Sequence, residues 1–287
     1  MTTRTTLIAL LIVFLASCTE SERQNEVDLE DDGLTTEQTE EEGGEMDTPL
    51  EEERQKGNIE LIAAEEVMDI PGASLTTKSP QSGAKIPSGN LTVNYDVNGF
   101  TLGTQTTARM DYSLAESDKG QHIHAILNNE PYMAHYEPEF SKDLAPGQYL
   151  LLSFLSRSYH LSLKNDEASE LIQFTVGDVD GEPYDLSQPF LFYSRPKGSY
   201  DIGENSDILL DFYLMNVNLS ETGYTIKAKI AGYPFTIDTW QPYIIRGLDE
   251  GLHAITLTLV NANGDRVDSP FNPVTRNIEV TNSMSED

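Results

Sequence analysis

The chain has 287 residues and a formal net charge of −30, with 48 acidic and 18 basic side chains. A chain this acidic repels both nucleic acid and anionic lipid, so nucleic-acid binding is excluded as a function. Its single cysteine excludes an intramolecular disulfide, and the fold must therefore be held by burial of apolar side chains.

The first 17 residues have the layout of a secretory signal peptide. Arg4 precedes an apolar run from Leu7 to Leu15, and the small residues Ala16 and Ser17 follow it. This run is shorter than the roughly 20 apolar residues that a transmembrane helix needs. We therefore expect residues 1–17 to be removed during export.

The only cysteine follows this segment directly. The sequence Leu15-Ala-Ser-Cys18 resembles the lipobox of bacterial lipoproteins, in which cleavage leaves a lipidated cysteine at the new N-terminus. The resemblance implies that Cys18 is the lipidation site and that the chain is held to a membrane by its N-terminal lipid. Thr19 and the acidic residues behind it resemble the export signal of Bacteroidetes surface lipoproteins, which implies an outer-membrane, surface-exposed location.

Residues 18–72 are predicted to be a disordered tether. Their charge is almost all negative and their apolar content is low, so burial offers little free energy to offset the entropy of ordering. Within this tether a short helix is predicted over residues 58–68.

The remainder contains an internal repeat. The segment Gly120–Tyr132 aligns with Gly223–Phe235 without a gap, and Leu144–Gly147 aligns with Leu248–Gly251. The repeat predicts two domains, at 73–177 and 188–281, with a linker at 178–187 and a C-terminal tail at 282–287.

Each repeat has the length and turn spacing of a sandwich of about seven short strands. The fold class predicted is therefore all-β, with two tandem immunoglobulin-like β-sandwich domains after a disordered acidic tether. A Cys-Trp-Cys framework is absent from the sequence, so the expected likeness is to fibronectin-type or bacterial Ig-like modules.

Several short segments carry a family resemblance. Gly120-Gln-His-Ile-His124, Pro131-Tyr132, Leu144-Ala-Pro-Gly147 and Ser156-Arg-Ser-Tyr-His160 resemble a group of two-domain Bacteroidetes surface lipoproteins with Ig-like repeats. The resemblance covers most of residues 73–281. It implies a location and a fold but no activity.

A histidine pair is the sharpest candidate for chemistry. His122 and His124 lie on one face of a predicted strand, at positions where the second repeat has Thr225 and Lys227. Two imidazoles at this spacing can converge on one Zn²⁺ or Cu²⁺ ion, with His160 or His135 as a third ligand. The alternative is that the pair is two solvated surface residues.

The strand from Gln148 to Leu155 is apolar on both faces, unlike its counterpart in the second repeat. Its outer face is therefore either covered or a binding patch, and the extra segment 104–118 is a candidate cover. The patch residues predicted on this face are Ile126, Tyr132, Leu152 and Phe154.

These features lead to two alternative functions. The first is a non-enzymatic, membrane-anchored lipoprotein that serves as a surface binding or scaffold module for a protein or glycan partner. The second is a transition-metal-binding protein or metalloenzyme that uses the histidines of the first domain. The sequence contains no recognisable catalytic motif, so enzymatic activity is not expected.

Overall fold

A computed structural model describes residues 55–64, 70–108, 110–204 and 206–283. The described chain consists of β-strands and one short 3₁₀ helix at Asp166–Ala168, which confirms the predicted all-β class of β-sandwich domains. In the first sandwich the strands are β3 (Ser74–Ser79), β4 (Ala84–Ile86), β5 (Gly89–Asn98), β6 (His122–Leu127), β7 (Met133–His135), β8 (Glu139–Leu144), β9 (Gly147–Ser156) and β10 (Ser169–Val176).

The second sandwich repeats this arrangement further along the chain. Its strands are β11 (Phe190–Arg195), β12 (Gly198–Asp201), β13 (Ile208–Met215), β14 (Thr225–Ile230), β15 (Tyr233–Ile237), β16 (Tyr243–Arg246), β17 (Gly251–Val260) and β18 (Val274–Thr281). Two strands that precede the first sandwich, β1 (Gln55–Lys56) and β2 (Ile59–Ala63), also belong here.

Strand pairing is the same in the two sandwiches except that β2 and β1 extend one sheet of the second. The first has sheets in the order β3-β5-β8 and β4-β10-β9-β6-β7, and the second has β11-β13-β16-β2-β1 and β12-β18-β17-β14-β15. In both sandwiches a short strand, β4 or β12, pairs in parallel with the last strand, β10 or β18. The aligned sequence blocks therefore occupy equivalent strands.

The segment at 59–63 differs from the sequence prediction. It forms strand β2, which pairs antiparallel with β16, and not the predicted helix over 58–68. Ile59 and Leu61 are buried in the core of the second sandwich, at 5% and 3% exposure. Alternation of buried and less buried residues suits a strand with one face on a core, and this pairing overrides local helix propensity. The predicted tether therefore does not extend to residue 72.

Each sandwich has its own core. The core of the first contains Leu75, Val93, Ile123, Leu155 and Phe174, among others. A larger cluster fills the second sandwich.

Two further clusters join the sandwiches to each other. In the larger one, residues of β6 and β9 pack against residues of β11 and β13; its buried members are Ile126, Tyr132, Leu150, Leu152, Phe154, Phe190, Phe192 and Tyr213. In the smaller one, Leu114 from segment 104–118 packs with residues of both sandwiches. We call the larger one the junction cluster.

The signal peptide, Cys18 and the acidic stretch to residue 54 lie outside the described residues, as does the part of the predicted helix beyond Ala64. Their assignments stay predictions. Within the described part of the chain, no helix has the length and apolarity that a membrane span requires.

Candidate metal centre

Strand β6 lies between β9 and β7 in the larger sheet of the first sandwich. Successive side chains of a strand point to opposite faces. Ile123 and Ala125 accordingly point into the core of the first sandwich, whereas His122 and His124 point away from it. The two imidazoles therefore lie on the sheet face that borders the second sandwich.

Both histidines are fully buried, at 0% exposure. The second sandwich contributes to this burial, because the hydroxyl of Ser194 on β11 lies 3.3 Å from His124 Nδ1. The alternative of two solvated surface residues is therefore wrong. Sequence reasoning placed the pair on the outer face of one domain without knowing that the other domain covers that face.

His160 reaches the same point from the turn that follows β9. The turn closes with a hydrogen bond from the backbone N–H of His160 to the carbonyl of Arg157, at 2.9 Å. His160 has a φ of +68°, in the left-handed region, which reverses the chain direction at that residue. Its Nδ1 atom lies 3.2 Å from His122 Nε2.

The three imidazoles form a compact set of possible ligands. His122 Nε2 and His124 Nε2 are 2.9 Å apart, and the three ligand atoms of His122, His124 and His160 all lie within 4.8 Å of one another. Nitrogen ligands of a tetrahedral zinc ion, bound at about 2.0–2.1 Å, are separated by about 3.3 Å. Small side-chain adjustments would therefore place all three on one ion.

The hydrogen bonds behind the rings favour this use. His122 Nδ1 donates to the carbonyl of Gly120 at 2.8 Å, which leaves its Nε2 lone pair directed at the cluster. Gly120 has a φ of +83°, and a Cβ there would lie 2.4 Å from the backbone of Thr104. Glycine is therefore required at the residue that orients this imidazole.

Ser194 has an equivalent role for His124. Without an ion, His124 Nε2–H donates to His122 Nε2, and its Nδ1 accepts from the serine hydroxyl. With an ion, His124 must present a bare Nε2, and its Nδ1–H then donates to the same oxygen. A hydroxyl both donates and accepts, so Ser194 supports either tautomer.

Burial keeps these imidazoles neutral. Loss of hydration lowers the pKa of His122 to about 4 and that of His160 to about 2, and it lowers the pKa of His124 well below the usual value. Nearby cationic side chains act in the same direction. Because a metal ion requires the unprotonated imidazole, the three ligands are in the binding form at neutral pH.

Aromatic and basic side chains surround the three histidines. The ring of Tyr132 stacks on His124 with centroids 3.6 Å apart, and Tyr136 lies 5.1 Å from His122. Lys197 Nζ and the Arg195 guanidinium lie 4.2 and 5.5 Å from the Tyr132 ring centroid. Two basic side chains of the second sandwich therefore lie beside the ring that stacks on His124.

His135 is not part of the cluster, which corrects its prediction as a ligand. In the register of β6 and β7 it lies opposite Ile123, so it points to the core face of the sheet. Its ring stacks on Phe140 with centroids 3.7 Å apart, and its buried Nε2 has no hydrogen-bond partner. Of the two candidates for the third ligand, the geometry selects His160.

The predicted binding patch also requires correction. Ile126, Leu152 and Phe154 are fully buried, and Tyr132 is 5% exposed, because all four belong to the junction cluster. The sequence signal of a strand with two apolar faces was sound, but the face is covered by the second sandwich. Segment 104–118 packs in the smaller cluster instead.

Three residues near the site were missed by sequence reasoning: Ser194, Arg195 and Lys197. They belong to the second repeat, and only packing of the two sandwiches brings them to the histidines. One signal was present, since Arg195-Pro196 aligns with Ser79-Pro80, so the second repeat carries a cation where the first has a serine.

No family model and no curated protein matches the chain. Among solved structures, it is similar to the fibronectin(III)-like modules of CbhA from Clostridium thermocellum, with 12% identity, 74% of this chain and 97% of that chain covered, and a TM-score of 0.28. It is also similar to SGBP-B of the Bacteroides ovatus mixed-linkage glucan utilization locus, solved in complex with a mixed-linkage heptasaccharide. The identity is 13%, the match covers 72% of this chain and 47% of that chain, and the TM-score is 0.23.

A third similar structure is latent PorU from Porphyromonas gingivalis, at 12% identity and a TM-score of 0.24. The match covers 76% of this chain but 21% of PorU, so the chain spans a small part of that protein. At these identities and TM-scores the similarities assign no ligand or activity to this chain.

Proposed function

We propose that this protein is a non-enzymatic, lipid-anchored lipoprotein of the outer membrane whose folded part binds one divalent transition-metal ion. The ion, Zn²⁺ or Cu²⁺, is held by His122, His124 and His160. One observation carries the proposal: three buried imidazoles present their ligand atoms within 4.8 Å of one another.

The ligand type selects the class of ion. Imidazole suits Zn²⁺ and Cu²⁺, whereas Ca²⁺ and Mg²⁺ require carboxylate or carbonyl oxygens. Among the described residues, the set that meets this geometry consists of histidines alone.

Binding without turnover follows from the surroundings. A hydrolytic zinc site needs an open position and a general base near the bound water. The described residues that converge here include no carboxylate that could serve as this base. We therefore assign the ion a binding or stabilising role and no reaction.

The test is a zinc titration of the chain from residue 19 onward, purified without a histidine tag and monitored by competition with a chromophoric chelator. We expect one zinc per chain for the natural sequence, and loss of at least about a hundredfold in affinity for His124→Ala. His135→Ala and His253→Ala are the matched controls and should bind as the natural sequence does. Equal affinity for His124→Ala and the natural sequence would refute the proposal.

The lipid anchor rests on the lipobox-like sequence at Cys18. Cys18→Ala should accumulate as unprocessed precursor and incorporate no labelled fatty acid, whereas the natural sequence should be processed and should incorporate the label. Fatty-acid labelling of the variant would show that the anchor lies elsewhere.

A second candidate function, binding of a glycan partner, is favoured by a separate cavity of about 360 Å³ beside β9 and β10. Tyr149, Tyr184, Gln148 and Gln173 line it together with Lys85, and aromatic rings with amide groups are suited to sugar hydroxyls and ring faces. Titration with soluble oligosaccharides should give heats that Tyr184→Ala abolishes. If the natural sequence binds none of the oligosaccharides tested, glycan binding at this cavity is ruled out.

A further inference from the structure

We propose that the metal takes a small anion as its fourth ligand and that Arg195 and Lys197 of the second sandwich stabilise that anion. This inference rests on the proposed metal site and identifies what else that site binds. The ligand class is an anion small enough to offer a single donor atom to the ion.

Charge balance is the first argument. Three neutral imidazoles leave the full double charge of the ion uncompensated. The charged side chains that act on His160 and His124 are Arg195 and Lys197, and both are cationic. A divalent ion at this position would therefore bring two further positive charges close to two cations, of which Arg195 is buried and Lys197 is half-buried. An anion at the fourth position offsets this charge.

The state of Arg195 is the second, independent argument. Its side chain is 8% exposed, and its Nε atom has no hydrogen-bond partner. One terminal nitrogen donates to the hydroxyl of Tyr200 at 2.7 Å, and no carboxylate among the described residues forms an ion pair with it. The carboxylate opposite it in the register of β11 and β13, that of Asp211, is paired with Lys164 instead. A buried guanidinium without an ion pair of its own is costly, so its presence here points to a ligand of negative charge.

Tyr132 links the two basic residues to the histidines. The ring of Tyr132 stacks on His124. Lys197 Nζ lies 4.2 Å from the centroid of the same ring and donates a hydrogen bond to the backbone carbonyl of Tyr132 at 2.8 Å. The basic groups are thus held one aromatic ring away from the imidazoles. From there both cations act electrostatically on His124 and His160, and an anion bound to an ion at these imidazoles would be attracted through the same region of low dielectric constant.

The enclosure limits the size of the anion. His122 and His124 are fully buried, and His160 is the partly exposed member of the set, so a ligand must enter beside His160. This geometry favours an anion of a few atoms over an extended one.

The experiment uses the chain from residue 19 onward loaded with Co²⁺, whose visible absorption reports coordination, and azide as the probe. Azide should change the cobalt spectrum of the natural sequence with saturation. Arg195→Gln and Lys197→Gln should each weaken azide binding by about tenfold or more, and should bind Co²⁺ in anion-free buffer at least as tightly as the natural sequence does.

Lys197→Gln keeps the test valid if Arg195→Gln fails to fold, because Lys197 is only half-buried. Lys229→Gln, on an exposed position of β14, is the matched control and should bind azide normally. If azide leaves the spectrum of the cobalt-loaded natural sequence unchanged, or if Lys197→Gln binds azide with full affinity, this inference is wrong. Neither result would contradict the proposed metal site. Failure to bind Co²⁺ at all would overturn the proposed function itself.

Discussion

Ser194 shows how one hydroxyl can connect the two sandwiches to the metal site. It lies on β11 of the second sandwich, and its oxygen is 3.3 Å from His124 Nδ1 in the first. Because groups behind the ligands fix ring orientation and tautomer, the proposed metal site depends on the second sandwich although that sandwich supplies no ligand.

The first prediction concerns this contact. Ser194→Ala should retain the fold but lose about tenfold to a hundredfold in zinc affinity, because His124 Nδ1–H would be buried without an acceptor. Competition titration measures the affinity, and Ser199→Ala, at an exposed position, is the control. Equal affinities for the two variants would show that Ser194 does not orient His124.

The second prediction is a pH dependence that involves His135. Burial lowers its pKa to about 4 in the folded protein, whereas the unfolded chain takes up this proton near the usual value of 6.5. Between these values only the unfolded state binds the proton, so the free energy of unfolding is highest above pH 6.5 and falls as the pH drops toward 4.

His135→Phe removes this group and keeps the stack on Phe140. In metal-free protein, the melting temperature of the variant should fall less between pH 7 and pH 5 than that of the natural sequence. An equal loss would mean that His135 is neutral in both states over this range or protonated in both.

At the scale of the elements, the turn between β6 and β7 determines which histidines meet. A two-residue turn at Asn128-Asn129 would pair His135 with His122 and place both on one face. The actual turn is one residue longer, with Asn128 and Asn129 both at positive φ, and it pairs His135 with Ile123. A shift of one residue reverses the face of every side chain on the strand.

The β6–β7 turn shows which features of the fold and of the site could be predicted from the sequence. The alternation of β6, the internal repeat and the strand with two apolar faces were readable from side-chain periodicity, because each depends on local spacing. The choice of His160 over His135 could not be predicted, because it depends on the length of a turn. The covering of the outer face of β9 by the second sandwich could not be predicted either, because it depends on the packing of two domains.

Strand β2 gives the third prediction, at the same scale. Leu61 is buried in the core of the second sandwich, so Leu61→Ala should lower the free energy of unfolding by about 2–5 kcal/mol. Leu252→Ala, at a side chain with 79% exposure, should change it by less than about 0.5 kcal/mol. Chemical denaturation measures both.

A matched pair of truncations extends this test. A chain that begins at residue 55 should be as stable as the full protein without its signal peptide, and one that begins at residue 65 should be less stable. Equal stability of the two truncated chains would show that β2 is dispensable and that the tether extends through it.

At the scale of the whole molecule, the two sandwiches share buried surface. Phe154 of the first stacks on Tyr213 of the second with centroids 4.9 Å apart, and Trp240 packs edge-on against the same tyrosine at 5.0 Å. A partly buried ion pair between Lys164 and Asp211, at 2.6 Å, also crosses between them. The linker at 178–187 therefore does not separate two independent surfaces.

The fourth prediction follows from this shared surface. The full chain should unfold in one cooperative transition, and the fragments 73–177 and 188–281 should each be less stable and bind an apolar dye, because each exposes its half of the junction cluster. Two separate transitions in the full chain, at the midpoints of the two fragments, would show that the sandwiches are energetically independent.

Zinc K-edge X-ray absorption of the zinc-loaded protein tests the metal site most directly. The three-histidine assignment predicts one zinc per chain, with three imidazole nitrogens and one further light atom at about 2.0–2.1 Å. The multiple-scattering features of imidazole should be lost in His122→Ala/His124→Ala. A spectrum dominated by oxygen ligands, unchanged in that variant, would place the zinc on acidic surface residues and contradict the account.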